Sequence, residues 1–204
     1  MTETERSDRI AGIALIGASL MSMFTMAHHP TSMAAGALIG VVHGVMILLV
    51  GVMIYGFAHY AARRGLGRPL VLAGLVAFAI GAAAGIGAGT INGFIAPAVR
   101  LHEPTVSQDL FVLAWEANQA LAKLGVIATG AAYLLWSLDL WRDRRLAAAF
   151  GIVTGGIPAL LLIGGWLNMH LHAAILVYGT QALWAILIGW LLLRGRLTRE
   201  GSAD

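Results

Sequence analysis

The sequence predicts an all-α fold, a single polytopic bundle of six transmembrane helices over residues 1–204, and three observations carry that expectation. Of the 204 residues, 59% are hydrophobic and 11% charged, under half the roughly 25% charge of a soluble domain. The mean hydropathy is +0.81. The few charges gather in short patches between long apolar runs, and a helix needs about 20 apolar residues to cross a bilayer.

The expected spans run in order. Residues 10–27 form the first, after nine polar residues. With no plausible cleavage site before the next span, this apolar run reads as a retained helix and not as a secretory signal. The second covers 34–60 and the third 69–99, followed by the one substantial loop, 100–109. The fourth covers 110–140, the fifth 146–167 and the sixth 173–193. No linker or low-complexity segment divides the chain, which therefore reads as one domain.

Arginine placement orients the bundle. Arg6, Arg9, Arg63, Arg64, Arg68, Arg142, Arg144, Arg145, Arg194, Arg196 and Arg199 fall on one side of the six spans, and Arg100 alone on the other. The positive-inside rule then places both termini in the cytoplasm and the chain in a bacterial-type cytoplasmic (inner) membrane. These arginines sit at helix ends, where lipid headgroups are the expected partner, so the basic charge is no nucleic-acid signal. The absence of cysteine excludes disulfides, thiolate metal sites and thiol catalysis.

A faint repeat relates the third and fifth spans. Gly74, Ile80, Ala82, Ile86 and Gly87 match Gly151, Ile157, Ala159, Ile163 and Gly164 at one offset, which fits three related helix hairpins. Glycines recur every four residues at Gly81, Gly85, Gly89 and Gly93, and at Gly36, Gly40 and Gly44. Small residues at this spacing let helices approach closely, within the chain or in a homo-oligomer through helices 2 and 3. A sharper reading is a flat groove for a planar ligand.

Six of the seven histidines fall on or near the side opposite the termini. His28 and His29 end the first span, His102 lies in the long loop, and His170 and His172 lie between the last two spans. His43 sits in helix 2, about 14 Å deep. Imidazole suits zinc, copper and iron, so His28, His29, His43, His170 and His172 are candidate metal ligands. His43, Asn92, Gln119, Asn168 and Gln181 are candidate cofactor-binding residues. Interfacial histidines also occur simply as polar loop residues, and no fixed metal motif is present.

Glu116, Gln119 and Lys123 fall at i, i+3 and i+7 on one face of helix 4. Counted from Leu110, Lys123 lies about 20 Å along the helix, near or past mid-bilayer, where a charge is costly. Glu116 and Lys123 are therefore a candidate catalytic acid–base pair, expected to face inward, with Glu116 sharing one site with His43, His170 and His172. A structural ion pair or a snorkelling lysine explains the same pattern. Trp136, Trp141, Tyr55 and Tyr60 read as one interfacial aromatic belt, and Trp115, Trp166 and Tyr178 as the other.

The segment Leu38-Ile-Gly-Val-Val-His43-Gly44-Val-Met-Ile-Leu-Leu-Val-Gly51 resembles a glycine-rich helix of the small membrane proteins represented by hydroxylaminobenzene mutase and styrene oxide isomerase. The resemblance covers that one helix. It implies a non-redox rearrangement of a small aromatic substrate, with haem b as cofactor in the styrene oxide enzymes. The chain departs from the pattern in three ways. Those families carry Asn-Gly where this chain has His43-Gly44, and they look like four-helix chains. The family histidine six positions before His43 is Ala37 here, so no haem-ligand role transfers to that position.

Three functional readings follow. One is a membrane pocket that binds haem or a divalent transition metal, acting as a small-molecule isomerase or mutase. The second is a proton- or anion-coupled transporter or sensor using Glu116 and Lys123. The third is a structural subunit. The expected partners are the lipid bilayer and a small-molecule ligand.

Overall fold

The computed structural model describes residues 2–30, 35–102 and 105–197. Six helices are long and apolar enough to cross a membrane: α1 (Glu3–Ala27), α2 (Ala37–Arg64), α3 (Pro69–Arg100), α4 (Gln108–Leu140), α5 (Arg145–Ile163) and α6 (Leu171–Leu193). No strand occurs among the described residues. The chain is a multi-pass membrane protein. Its outer surface carries large apolar side chains such as Leu48, Leu160 and Ile163, as lipid as solvent requires.

Local chemistry explains where the ends differ from expectation. Helix α1 begins seven residues early because Thr2 and Glu5 form a reciprocal capping box, satisfying orphan amides at the helix start. Helix α2 begins at Ala37, after Gly36 with φ of 55°; the expected start, Ala34, lies outside the described residues. Helix α5 ends at Ile163 and not at 167, since Gly164 caps it and Gly165 turns the chain at φ 73°, a conformation that favours glycine. Within α3, Ile91–Ile95 is a π-helical turn.

The helices form a closed ring. Each packs on its chain neighbours, and α1 closes against α6. Three seams are glycine on glycine: Gly12 with Gly189, Gly81 with Gly125, and Gly130 with Gly155. At each, an added Cβ on Gly12, Gly81 or Gly130 would sit 2.5–2.9 Å from the facing glycine's carbonyl oxygen. Backbones this close gain dispersion contacts that side chains would prevent. The repeat has a structural counterpart in the last two hairpins. Gly74 and Gly151 each make room for a tryptophan, with an added Cβ lying 2.4 Å from Nε1 of Trp136 or Trp184. Each indole N–H donates to a carbonyl of the same facing helix, Val71 at 3.1 Å and Ala147 at 3.0 Å.

The first and last described segments, the start of α1 and the residues after α6, lie at one end of the ring, here the terminal end. There Arg64, with a side chain 3% exposed, donates to Asp139 at 2.7 Å, Asp143 at 2.9 Å and the Leu197 carbonyl at 3.1 Å. Arg68 reaches the other Asp139 oxygen at 2.6 Å. Nearby, Asp8 meets His59 at 2.7 Å and Arg63 at 2.9 Å. Arg64 thus departs from the headgroup role expected of the arginines. It is a buried partner that joins α2, α4 and the segment after α6.

Above this network sits an aromatic layer of Phe57, Tyr60, Phe78, Tyr133, Trp136 and Trp184, all buried. Trp136 and Trp184 stack at 6.2 Å with planes 10° apart. The belt reading of Trp136 and Tyr60 is therefore corrected: both are fully buried core residues. Trp141, 45% exposed, and Tyr55, 47% exposed, keep the surface position a belt requires.

Candidate functional site

Over the aromatic layer the ring opens into a cup of about 460 Å³, lined by α1, α2, α3, α4 and α6. Phe78 and Tyr133 form its floor. Its polar groups are His29, His43, Asn92, Asn118, Gln119, Thr129, His170, Tyr178 and Gln181, and Met26, Met46, Met53 and Met169 join the apolar wall. Among the described residues no lysine, arginine or carboxylate borders it.

His43 is placed by the glycine ladder. A Cβ on Gly93 would lie 2.4 Å from the His43 Cβ, so the imidazole seats against bare backbone in the π-helical turn. Its Nδ1 lies 2.8 Å from the Ile39 carbonyl. His29 follows the end of α1, where its amide donates to Met26, and its Nδ1 lies 2.9 Å from the Pro30 carbonyl. The two Nε2 atoms face each other at 3.1 Å, with the rings edge to face.

The tautomers follow from the partners. A carbonyl only accepts, so each Nδ1 must carry hydrogen, which leaves both Nε2 atoms as lone pairs in the neutral rings. Two lone pairs at 3.1 Å require a positive centre between them, a proton or a metal ion. Burial, and then the charge of His43, push the His29 imidazole below its ordinary pKa, opposed by the Pro30 carbonyl. A second proton on the pair is therefore disfavoured.

The amides chiefly join helices. Asn118 donates to the Ala88 carbonyl at 2.9 Å, Gln181 to Val126 at 3.4 Å, and Gln119 to Asn118 at 3.5 Å. Among the described residues the side chains of Ser22, Asn92, Thr129, His170 and Tyr178 line the cup without a hydrogen-bond partner. They are the free polar groups offered to a ligand.

The other expected site residues are not brought together. Glu116 and Lys123 are exposed on the outside of α4 and do not border the cup. The expectation that they face inward is corrected, and the helix length gives the reason. From Asp139 in the ion network, Lys123 lies about 24 Å and Glu116 about 35 Å along α4. With a hydrocarbon core of about 30 Å, Glu116 reaches the headgroup layer and Lys123 lies within snorkelling distance of it. Counting from Leu110 misplaced both, because α4 extends beyond the core.

His28 is exposed and bonds the Phe24 carbonyl of its own helix at 2.9 Å. His172 is exposed and does not border the cup. Asn168 accepts the His170 amide at 3.1 Å, a local turn and not a ligand site. His170 lines the mouth with its ring 5.9 Å from Trp115. The proposed joining of His43, His170, His172 and Glu116 therefore reduces to His43 and His170 in one pocket. Among the described residues no three His, Cys, Asp or Glu side chains converge as a metal site.

His29 and His43 do not fit as the two axial ligands of one haem b. Axial histidines on opposite faces of a porphyrin stand about 4 Å apart between nitrogens, taking metal–nitrogen bonds of about 2.0–2.1 Å. Here the two Nε2 atoms are 3.1 Å apart, with no room for the ring between them, and among the described residues no lysine or arginine borders the cup to pair with propionates.

Sequence reasoning put His29 and His43 together among the candidate metal ligands without singling out their direct contact, and it missed the lining roles of Trp115, Tyr178 and the methionines. The i, i+3 recurrence of Met26 with His29 and of His43 with Met46 was the available signal. No family model, curated protein or solved structure matches the chain.

Proposed function

We propose that this membrane protein binds a small, neutral, largely apolar molecule in the cup opposite its termini. The observation that carries the reading is the cup itself. It combines about 460 Å³ of space, an aromatic floor and a few free polar side chains, and among the described residues no carboxylate, lysine or arginine lies on its wall. Ligand sites of this kind are mostly apolar, with a few placed polar groups that fix orientation. The arginine asymmetry supports placing the termini in the cytoplasm and the cup's mouth on the opposite face of an inner membrane.

The test is a titration of the protein in nanodiscs with naphthol, followed by tryptophan quenching, since Trp115 borders the cup. Saturable binding of one equivalent supports the reading. Quenching that only follows partition into lipid sinks it.

The His29–His43 pair favours a second, finer reading, proton transfer on the bound molecule in an isomerase-type rearrangement. Carrying one proton, the pair offers a donor and an acceptor at adjacent atoms. Incorporation of solvent deuterium into a turned-over substrate, lost in His43→Gln with binding retained, is the expected outcome. Turnover unchanged in His43→Gln contradicts it.

A further inference from the structure

We infer that the His29–His43 junction binds a soft monovalent metal ion of the copper(I) class, with the thioethers of Met26 and Met46 completing its ligands. The inference does not rest on the small-molecule reading. It starts from the two Nε2 lone pairs, held at 3.1 Å by carbonyls on both Nδ1 atoms. Two ligand nitrogens on one ion, each bonded at about 2.0–2.1 Å with a tetrahedral angle between them, stand about 3.3 Å apart. Metal-bound histidines commonly donate their other ring N–H to a carbonyl in this way. His43 is 4% exposed, so little of it meets bulk water.

The methionines select the metal. Met46 is three residues after His43 on α2 and shares its face. Met26 is three residues before His29, and its carbonyl receives the His29 amide at 3.2 Å. Both border the cup and pack in one apolar cluster. Thioether and imidazole ligands suit copper(I), whereas zinc and harder ions call for a thiolate, a carboxylate or a third imidazole. The chain has no cysteine, and among the described residues no carboxylate borders the cup. The ion takes the place of the shared proton, so binding releases it and strengthens as pH rises. No oxidation state changes.

The test uses silver(I), a redox-stable stand-in, and copper(I) held reduced, each titrated into detergent-purified protein against a competing chelator. One equivalent should bind. His43→Gln should weaken binding at least about 100-fold and Met26→Leu with Met46→Leu at least about tenfold, effects as large as those of disturbing metal-site support. His28→Ala should leave it unchanged. Nitrogen NMR of the imidazoles should show both Nε2 signals shift together on silver addition. A thermal melt of each variant in the same detergent, matching the wild type, shows that the bundle remains folded, and it does so whether or not the cup binds a small molecule. No stoichiometric silver binding, equal affinity in the methionine variant, or Nε2 signals that stay those of a shared proton would overturn the inference.

Discussion

The two ends of the bundle solve opposite problems with similar residues. At the terminal end the buried charges are paired: Arg64 satisfies two carboxylates and two carbonyls, and six aromatic rings fill the space above it, although the Tyr60 and Ser137 hydroxyls are buried without a partner. At the far end the ring stays open, and Asn92, Tyr178 and the facing lone pairs of His29 and His43 are left available. Burial alone does not separate the regions, since His43 is at least as buried as Arg64. What separates them is that the closed end is filled and its buried charges are paired, while the open end leaves space beside its polar groups. The closed end holds the fold, and the open end is free to bind.

The largest effect should come from breaking the closed end. Arg64→Ala leaves Asp139 buried with only Arg68 beside it, and losing one partner of a buried pair costs about 3–5 kcal/mol. The melting temperature in detergent should fall sharply, while His43→Gln at the open end should change it little. Comparable losses from the two would erase the distinction.

Two glycines one turn apart sharpen it next. A Cβ on Gly81 would meet Thr129 Oγ1 at 2.5 Å and the Gly125 carbonyl at 2.9 Å, while nothing lies within 4 Å of one on Gly85. Gly81→Leu should therefore cost about 1–3 kcal/mol by overpacking. Gly85→Leu should fill the cup and keep stability within about 0.5 kcal/mol, as substitutions away from packed contacts do. Thermal melts of the pair check this, and equal destabilisation would mean that the cup is closed in solution.

A smaller effect is expected with pH. The folded His29 has a lowered pKa, so its contribution is present above the ordinary histidine value near 6.5 and is lost as pH falls below it. His43 and His170 are the other titratable imidazoles facing the cup. Melting from pH 7 down to 5 should show a decline that His29→Gln reduces. A decline unchanged in the variant would assign it elsewhere.

The smallest effect is expected at Lys123. Exposed and within reach of headgroups, it should tolerate Lys123→Leu within about 0.5 kcal/mol. A loss of several kcal/mol in unfolding experiments would mean that it has a buried partner after all.

The spans were legible because length and apolar runs decide them, and most boundaries differ only where a cap, such as Thr2 with Glu5 or Gly164 with Gly165, supplies what periodicity does not carry. The site was legible in part. His43, Asn92, Gln119 and Gln181 were identified by the cost of polarity at depth, which holds for any helix facing inward. Glu116 and Lys123 failed because depth was counted from the wrong end of a helix longer than the bilayer. The role of Arg64 was hidden for a related reason: a charge at a helix end looks interfacial until a carboxylate from another helix, Asp139, is seen to meet it. The contact of His29 with His43 depends on how the chain turns after α1, which no periodicity encodes.

The central claim is that the far half is an open cup that holds a ligand. It is tested most directly by naphthol binding to the wild type, Gly85→Leu and Gly17→Leu in nanodiscs. Gly17 is exposed on α1, with nothing within 4 Å of an added Cβ, and serves as a control for an equal change outside the cup. The account predicts one saturable site in the wild type, kept in Gly17→Leu and abolished in Gly85→Leu. Binding that survives in Gly85→Leu, or that both substitutions reduce alike, would contradict it.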